Sequence, residues 1–155
     1  MRLWHYLIAT GLGTGYSPFA PGTMGSLLAV LIALFLLPPR SFAFLLVLLF
    51  GFAHGVWSST RVEADMNSND PSIVVIDEIV GMWVGLLFLP RNLWLFLLAF
   101  ILFRYLDIKK PLGLNRLQSL PNGWGIMLDD VGAGFYTLIA MQLLFWLLHS
   151  VGYML

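Results

Sequence analysis

The sequence has no cysteine, which excludes disulfides, thiolate metal sites and cysteine nucleophiles together. Charge is scarce: 10% of residues are Asp, Glu, Lys or Arg, against about 25% in an ordinary soluble domain. Formal net charge is zero and no basic run interleaves with aromatics, so nothing points to nucleic acid. There are three histidines, and none supports a nitrogen-rich metal site or a histidine nucleophile. His5 and His149 lie near the chain ends, and His54 reads as a helix-packing residue. No Gly-Lys-Ser/Thr follows the glycine-rich segment, which excludes a Walker A loop. The Asp-x-Asp of phosphoaspartate enzymes is missing, as is the spaced Asp-Gly…Asp…Asp pattern of CDP-alcohol phosphotransferases.

What is abundant is apolar surface, 59% of 155 residues. A water-soluble fold of this length cannot hide that much, so the chain reads as one integral membrane domain over residues 1–155. Met1-Arg2-Leu3-Trp4-His5 lacks the long apolar core of a cleavable signal peptide. The spans themselves are expected to carry the chain to the membrane. Five apolar stretches stand out: Met24–Leu37, Phe42–Trp57, Ile73–Leu89, Leu93–Phe103 and Val131–Leu148. Most fall short of the roughly 20 residues that cross a bilayer core. The expected fold is an all-α bundle of about five short transmembrane or re-entrant helices.

Pro38-Pro39-Arg40 and Pro90-Arg91-Asn92 read as tight turns between neighbouring helices. They put segments 1–23, 58–72 and 104–130 on one side of the membrane. That side holds Arg2, Arg61, Arg104, Lys109, Lys110 and Arg116; the other holds Arg40 and Arg91. Six against two makes it the cytoplasmic side. All eight acids, Glu63, Asp65, Asp70, Asp77, Glu78, Asp107, Asp129 and Asp130, fall on it too. Acidic residues contribute little to membrane orientation, so their one-sidedness points to a site.

Asp77-Glu78 interrupts an apolar run 13 residues before Pro90, roughly 20 Å of helix. Adjacent carboxylates at that depth repel each other unless a cation neutralises them. Asp129-Asp130 repeats the device before the last apolar stretch. For either pair alone, a hydrated helix start with acids in its first turn is the plain alternative. Clustered oxygen ligands suit Mg²⁺, Mn²⁺ or Ca²⁺. Arg104 and Asp107 are three apart and share a helix face; Lys109 and Lys110 follow. The segment from Gly11 to Ser26 is rich in glycine, proline and hydroxyls and runs into a helix, where backbone N–H groups can hold an anion or Thr23 can simply cap.

Four blocks carry a family resemblance: Tyr16-Ser17-Pro18-Phe19-Ala20-Pro21-Gly22-Thr23-Met24-Gly25-Ser26; Ile76-Asp77-Glu78-Ile79-Val80-Gly81-Met82; Phe103-Arg104 through Asp107 to Lys110-Pro111; and Gly125-Ile126-Met127-Leu128-Asp129-Asp130 with Ala133-Gly134. In this order, over nearly the whole chain, they resemble the phosphatidylglycerophosphatase A family. The resemblance implies a multi-pass enzyme of the bacterial inner membrane with its site facing the cytoplasm. It implies that the substrate is phosphatidylglycerophosphate, that its terminal phosphate is removed to give phosphatidylglycerol, and that Mg²⁺ is required. It maps the functional residues onto Asp77, Glu78, Asp129 and Asp130, with Arg104, Asp107 and Lys110 beside them. Leu112-Gly113, Arg116 and Asn122-Gly123 depart from the family pattern, which bears on the shape of the 111–124 loop.

The expected mechanism follows. Asp77, Glu78, Asp129 and Asp130 hold one or two Mg²⁺, and water attacks phosphorus directly. Glu78 or Asp107 serves as base, with Asp77 and Asp130 also in the catalytic set. Arg104 and Lys110 bind phosphate, and Thr23 and Ser26 complete its cradle. No obligatory protein partner is evident. A small cation-binding membrane transporter and a broader lipid phosphate phosphatase remain the alternatives.

Overall fold

The computed structural model describes residues 2–111 and 113–150, and all regular structure among them is helical. Seven α-helices occur: α1 (Arg2–Ala9), α2 (Pro21–Leu31), α3 (Phe42–Met66), α4 (Ile76–Leu86), α5 (Leu93–Lys109), α6 (Asn115–Gln118) and α7 (Gly123–Ser150). A 3₁₀ turn at Thr14–Tyr16 precedes α2, and a π-helical turn at Ile32–Leu36 prolongs it. Two of the helices, α3 and α7, are long and apolar enough to cross a membrane.

The expectation of about five helices is therefore corrected to seven. Helices α2 to α5 and α7 correspond to the five apolar stretches; α1 and α6 are additional. Boundaries shift as well. Helix α3 runs past Trp57 to Met66 because Ser58 and Thr60 return their hydroxyls to the carbonyls of Gly55 and Val56, so polarity does not end it. Helix α7 starts at Gly123, before Val131, which puts Asp129 and Asp130 about two turns into it. Helix α4 is shorter than the Ile73–Leu89 stretch. Val75 is non-helical, at φ −140° and ψ 5°, and its N–H goes to the carbonyl of Ala9 at 2.8 Å. Caps fix two other starts. Ser41 accepts from Phe44 N–H at α3, and Asn92 accepts from Trp94 and Leu95 N–H at α5.

Helix α4 is the centre of the bundle. Every one of its residues except Glu78 is buried, and it packs against α2, α3, α5 and α7. At 11 residues it is only about 16 Å long. Trp83 Nε1 donates to Ala29 O of α2 at 3.1 Å. Gly81 and Gly85 face α7, while Gly51 and Gly55 of α3 face Val80, Trp83, Ile76 and Met127. Both small-residue pairs thus pack helices within one chain.

The two proline turns meet at one end of the bundle. Phe88 N–H donates to Pro39 O, Arg40 Nε donates to Phe88 O at 2.9 Å, and Arg91 donates to Leu34 O. Gln142 of α7 closes the same end by donating to Leu87 O. The starts of α2, α4 and α7 and the ends of α3 and α5 lie at the opposite end, and so do all the acids.

Candidate active site

Asp77 and Glu78 occupy the first turn of α4. Asp130 reaches them because α4 and α7 cross at very close range. A Cβ built on Gly81 would lie 2.6 Å from Asp130 O, and one on Gly134 would overlap Gly81 O. Only glycine permits two helix backbones to approach so closely. The crossing brings a carboxylate oxygen from each of Asp77, Glu78 and Asp130 within 4.8 Å of the others.

Asp129 has a different partner. One of its oxygens is bound by the Lys110 ammonium, so it is set apart from the cluster of three. Lys110 is the left-handed residue that ends α5, at φ 45°, and this conformation turns it toward α7. Burial works against its charge, but the hydrogen bond and charge of Asp129, with Asp130 and Asp107 nearby, outweigh that and raise its pKa above the ordinary lysine value.

Arg104 pairs with Asp107 at 2.7 Å on the same face of α5. Its Nη1 also lies 3.4 Å from the Ser26 hydroxyl, which in turn donates to Gly22 O at 2.9 Å. Gly22 lies in the first turn of α2, where a Cβ would overlap Glu78 Oε1 and sit 3.3 Å from Arg104 Nη1. Helix α2 thus presses its bare backbone onto the Glu78 carboxylate.

These groups enclose a cavity of about 250 Å³. Both acid pairs, Asp107 and Lys110 line it, and so do Asp70 and the backbone at Pro21 and Gly22. Three expected phosphate ligands are outside the wall. Ser26 is fully buried and committed to Gly22 and Arg104. Arg104 is not part of the lining and pairs with Asp107. Thr23 sits inside α2 rather than at its cap, since Pro21 already opens that helix after left-handed Ala20. Of the expected site, the structure gathers Asp77, Glu78, Asp107, Lys110, Asp129 and Asp130 around one space.

The donor set fits a hard divalent cation. Asp77 Oδ1, Glu78 Oε2, Asp129 Oδ1 and Asp130 Oδ2 are buried and have no hydrogen-bond partner. Burying a carboxylate oxygen without a partner costs several kcal/mol, on the order of what only a cation or proton repays. None of the histidines takes part. His5 pairs with Asp65 at 3.1 Å, while His54 and His149 stack on Phe50 and Phe145.

A sequence model of phosphatidylglycerophosphatase A matches residues 7–145. The chain belongs to this family. It is therefore an enzyme, a phosphatase. Among relatives, a Bacteroides thetaiotaomicron protein named "Putative phosphatidylinositol-3-phosphatase" is 45% identical over 92% of this chain and 94% of its own. The phosphatidylglycerophosphatase A of Escherichia coli is 38% identical over 94% of this chain and 84% of its own. That of Haemophilus influenzae is 37% identical over 92% and 90%. No solved structure matches the chain.

Two residues of this cavity wall, Asp70 and Gly22, are not among the candidate site residues that the sequence offers. Asp70 was visible as an acid on the right side, but its place in the cavity wall depends on how the loop after α3 folds back. Gly22 stood within the glycine-rich block, yet its contact with Glu78 is a tertiary one that spacing does not reveal.

Proposed function

We propose that the chain hydrolyses the terminal phosphomonoester of phosphatidylglycerophosphate to phosphatidylglycerol, with Mg²⁺ held by Asp77, Glu78 and Asp130. The observation that carries this reading is the convergence of three carboxylates from two helices, those of Asp77 and Asp130 buried, on one cavity that also holds a lysine. The names of the Escherichia coli and Haemophilus influenzae relatives supply the substrate. Bound there, Mg²⁺ would supply charge for the phosphoryl oxygens and acidify water.

The protein's own groups do the rest. Lys110 exchanges its contact with Asp129 for a phosphate oxygen when substrate enters. Asp107, fixed by Arg104, lines the cavity within reach of water and is the candidate base; Glu78, pressed by Gly22, holds the cation. The burial of Asp77, Asp129 and Asp130 strengthens these charges. The lipid chains stay in the bilayer. In this reading α3 and α7 cross the inner membrane, and the acid end faces the cytoplasm. That end carries Arg61, Arg104, Lys109, Lys110 and Arg116 against Arg40 and Arg91 at the other. A cation pathway is disfavoured, because the proline-turn end has no acid at all.

A second substrate has one observation in its favour: the name of the Bacteroides thetaiotaomicron relative specifies a phosphatidylinositol phosphate. Both lipids present a phosphomonoester on a hydroxylated headgroup. Phosphate release from each lipid in mixed micelles, with Mg²⁺ and then with EDTA, separates the two. The proposal expects rapid Mg²⁺-dependent release from phosphatidylglycerophosphate. No release from that lipid, or release indifferent to EDTA, would overturn it.

A further inference from the structure

A second, larger cavity adjoins the acid site, with a volume of about 510 Å³. Its polar wall comprises Glu63, Asn69, Asp70, Gln118, Ser119 and Asn122. Asp70 lines both spaces, so it forms the partition between them. The partition is braced from two sides. Asp70 N–H donates to Glu63 Oε1 at 3.2 Å, and Gln118 Nε2 donates to Asp70 Oδ2 at 3.0 Å. The braces tie α3 to α6 across the chamber.

The chemistry of this wall is unlike that of the acid site. It offers amides, a hydroxyl and two carboxylates, and no lysine or arginine. Such a lining repels phosphate and accepts O–H groups, while its amides both donate and accept. We infer that the chamber is a subsite for the neutral, hydroxyl-bearing part of the substrate headgroup, a polyol attached to the phosphate that enters the acid site. The inference rests on the proposed lipid phosphatase reading and adds how that site would tell a polyol phosphate from bare phosphate.

Asn122 and Asp70 have left-handed backbones, at φ 58° and 49°. Asparagine and aspartate adopt that region more readily than other non-glycine residues, so backbone geometry alone could explain their presence. Asn122→Gly keeps the backbone and removes only the amide, which separates the two roles.

The test uses the full-length protein in detergent micelles with Mg²⁺. Calorimetry compares binding of glycerol 3-phosphate with binding of inorganic phosphate, for the wild type and for Asn69→Ala/Asn122→Gly. We expect the wild type to prefer glycerol 3-phosphate. The double variant should lose about tenfold of that preference, two hydrogen bonds' worth, and keep its phosphate affinity. Its KM should rise similarly for phosphatidylglycerophosphate if the occupant is glycerol, or for phosphatidylinositol 3-phosphate if it is inositol. A wild type without preference, a preference untouched by the double variant, or an equal loss for both ligands would overturn the subsite. Failure of the lipid substrate reading looks different: the wild type would release no phosphate from either lipid, whatever calorimetry shows.

Discussion

Gly81 lies directly against the main chain of Asp130, so that a Cβ on the glycine would come 2.6 Å from that residue's carbonyl oxygen. The distance between α4 and α7, and with it the distance between the two acid clusters, is set there. Gly81→Ala must push the helices apart. We expect a loss of about 1–3 kcal/mol in stability from overpacking. Divalent-cation affinity should fall with it, because Asp130 withdraws from Asp77 and Glu78. Thermal unfolding in detergent and Mn²⁺ titration read the two effects. Unchanged Mn²⁺ affinity in a folded Gly81→Ala protein would show that the crossing does not set the site.

Gly22→Ala should behave differently. The atoms in its way are the end of the Glu78 side chain and the tip of Arg104, which can move without displacing a helix. Stability should change little. Activity should fall by about a hundredfold, as expected when a catalytic carboxylate is displaced by about an ångström. Steady-state kinetics beside a melting curve decide it.

The two cations near the site should separate cleanly. Lys110 lines the cavity and Arg104 does not. Lys110→Ala should weaken competitive inhibition by inorganic phosphate by roughly tenfold, a charged hydrogen bond's worth. Arg104→Lys should leave that inhibition constant alone and lower kcat, since the guanidinium positions Asp107. An Arg104→Lys protein with weakened phosphate inhibition and normal kcat would return Arg104 to the role of phosphate ligand.

The neighbouring aspartates should also differ. Asp130→Asn removes a member of the converging trio and should cost most of the cation affinity. Asp129→Asn removes the partner of Lys110 and should spare it. Equal losses from both, measured by Mn²⁺ titration, would make Asp129 a cation ligand as well.

Much of this arrangement is legible in the sequence. Proline turns and the one-sided acids set the ends of the bundle, because helix direction alternates at each turn and charge cannot be left in an apolar layer. The pairs Asp77-Glu78 and Asp129-Asp130, with Asp107 and Lys110, announced themselves as polar interruptions of apolar sequence. What stayed hidden depends on contacts distant in sequence. Ser26 and Arg104 read as anion ligands by residue type, yet the Ser26 hydroxyl and Arg104 Nη1 are engaged with each other and with Gly22 and Asp107. Apolar runs also misplaced the helix ends. Hydrogen bonding carries α3 and α7 through polar residues, and the β-branched Ile73-Val74-Val75 stays outside α4, tied to Ala9.

Anomalous diffraction from crystals of the protein soaked with Mn²⁺ tests the central claim most directly. One Mn²⁺ is expected among Asp77, Glu78 and Asp130, about 2 Å from an oxygen of each. A manganese peak on other residues, or none at a concentration that supports activity, would contradict it.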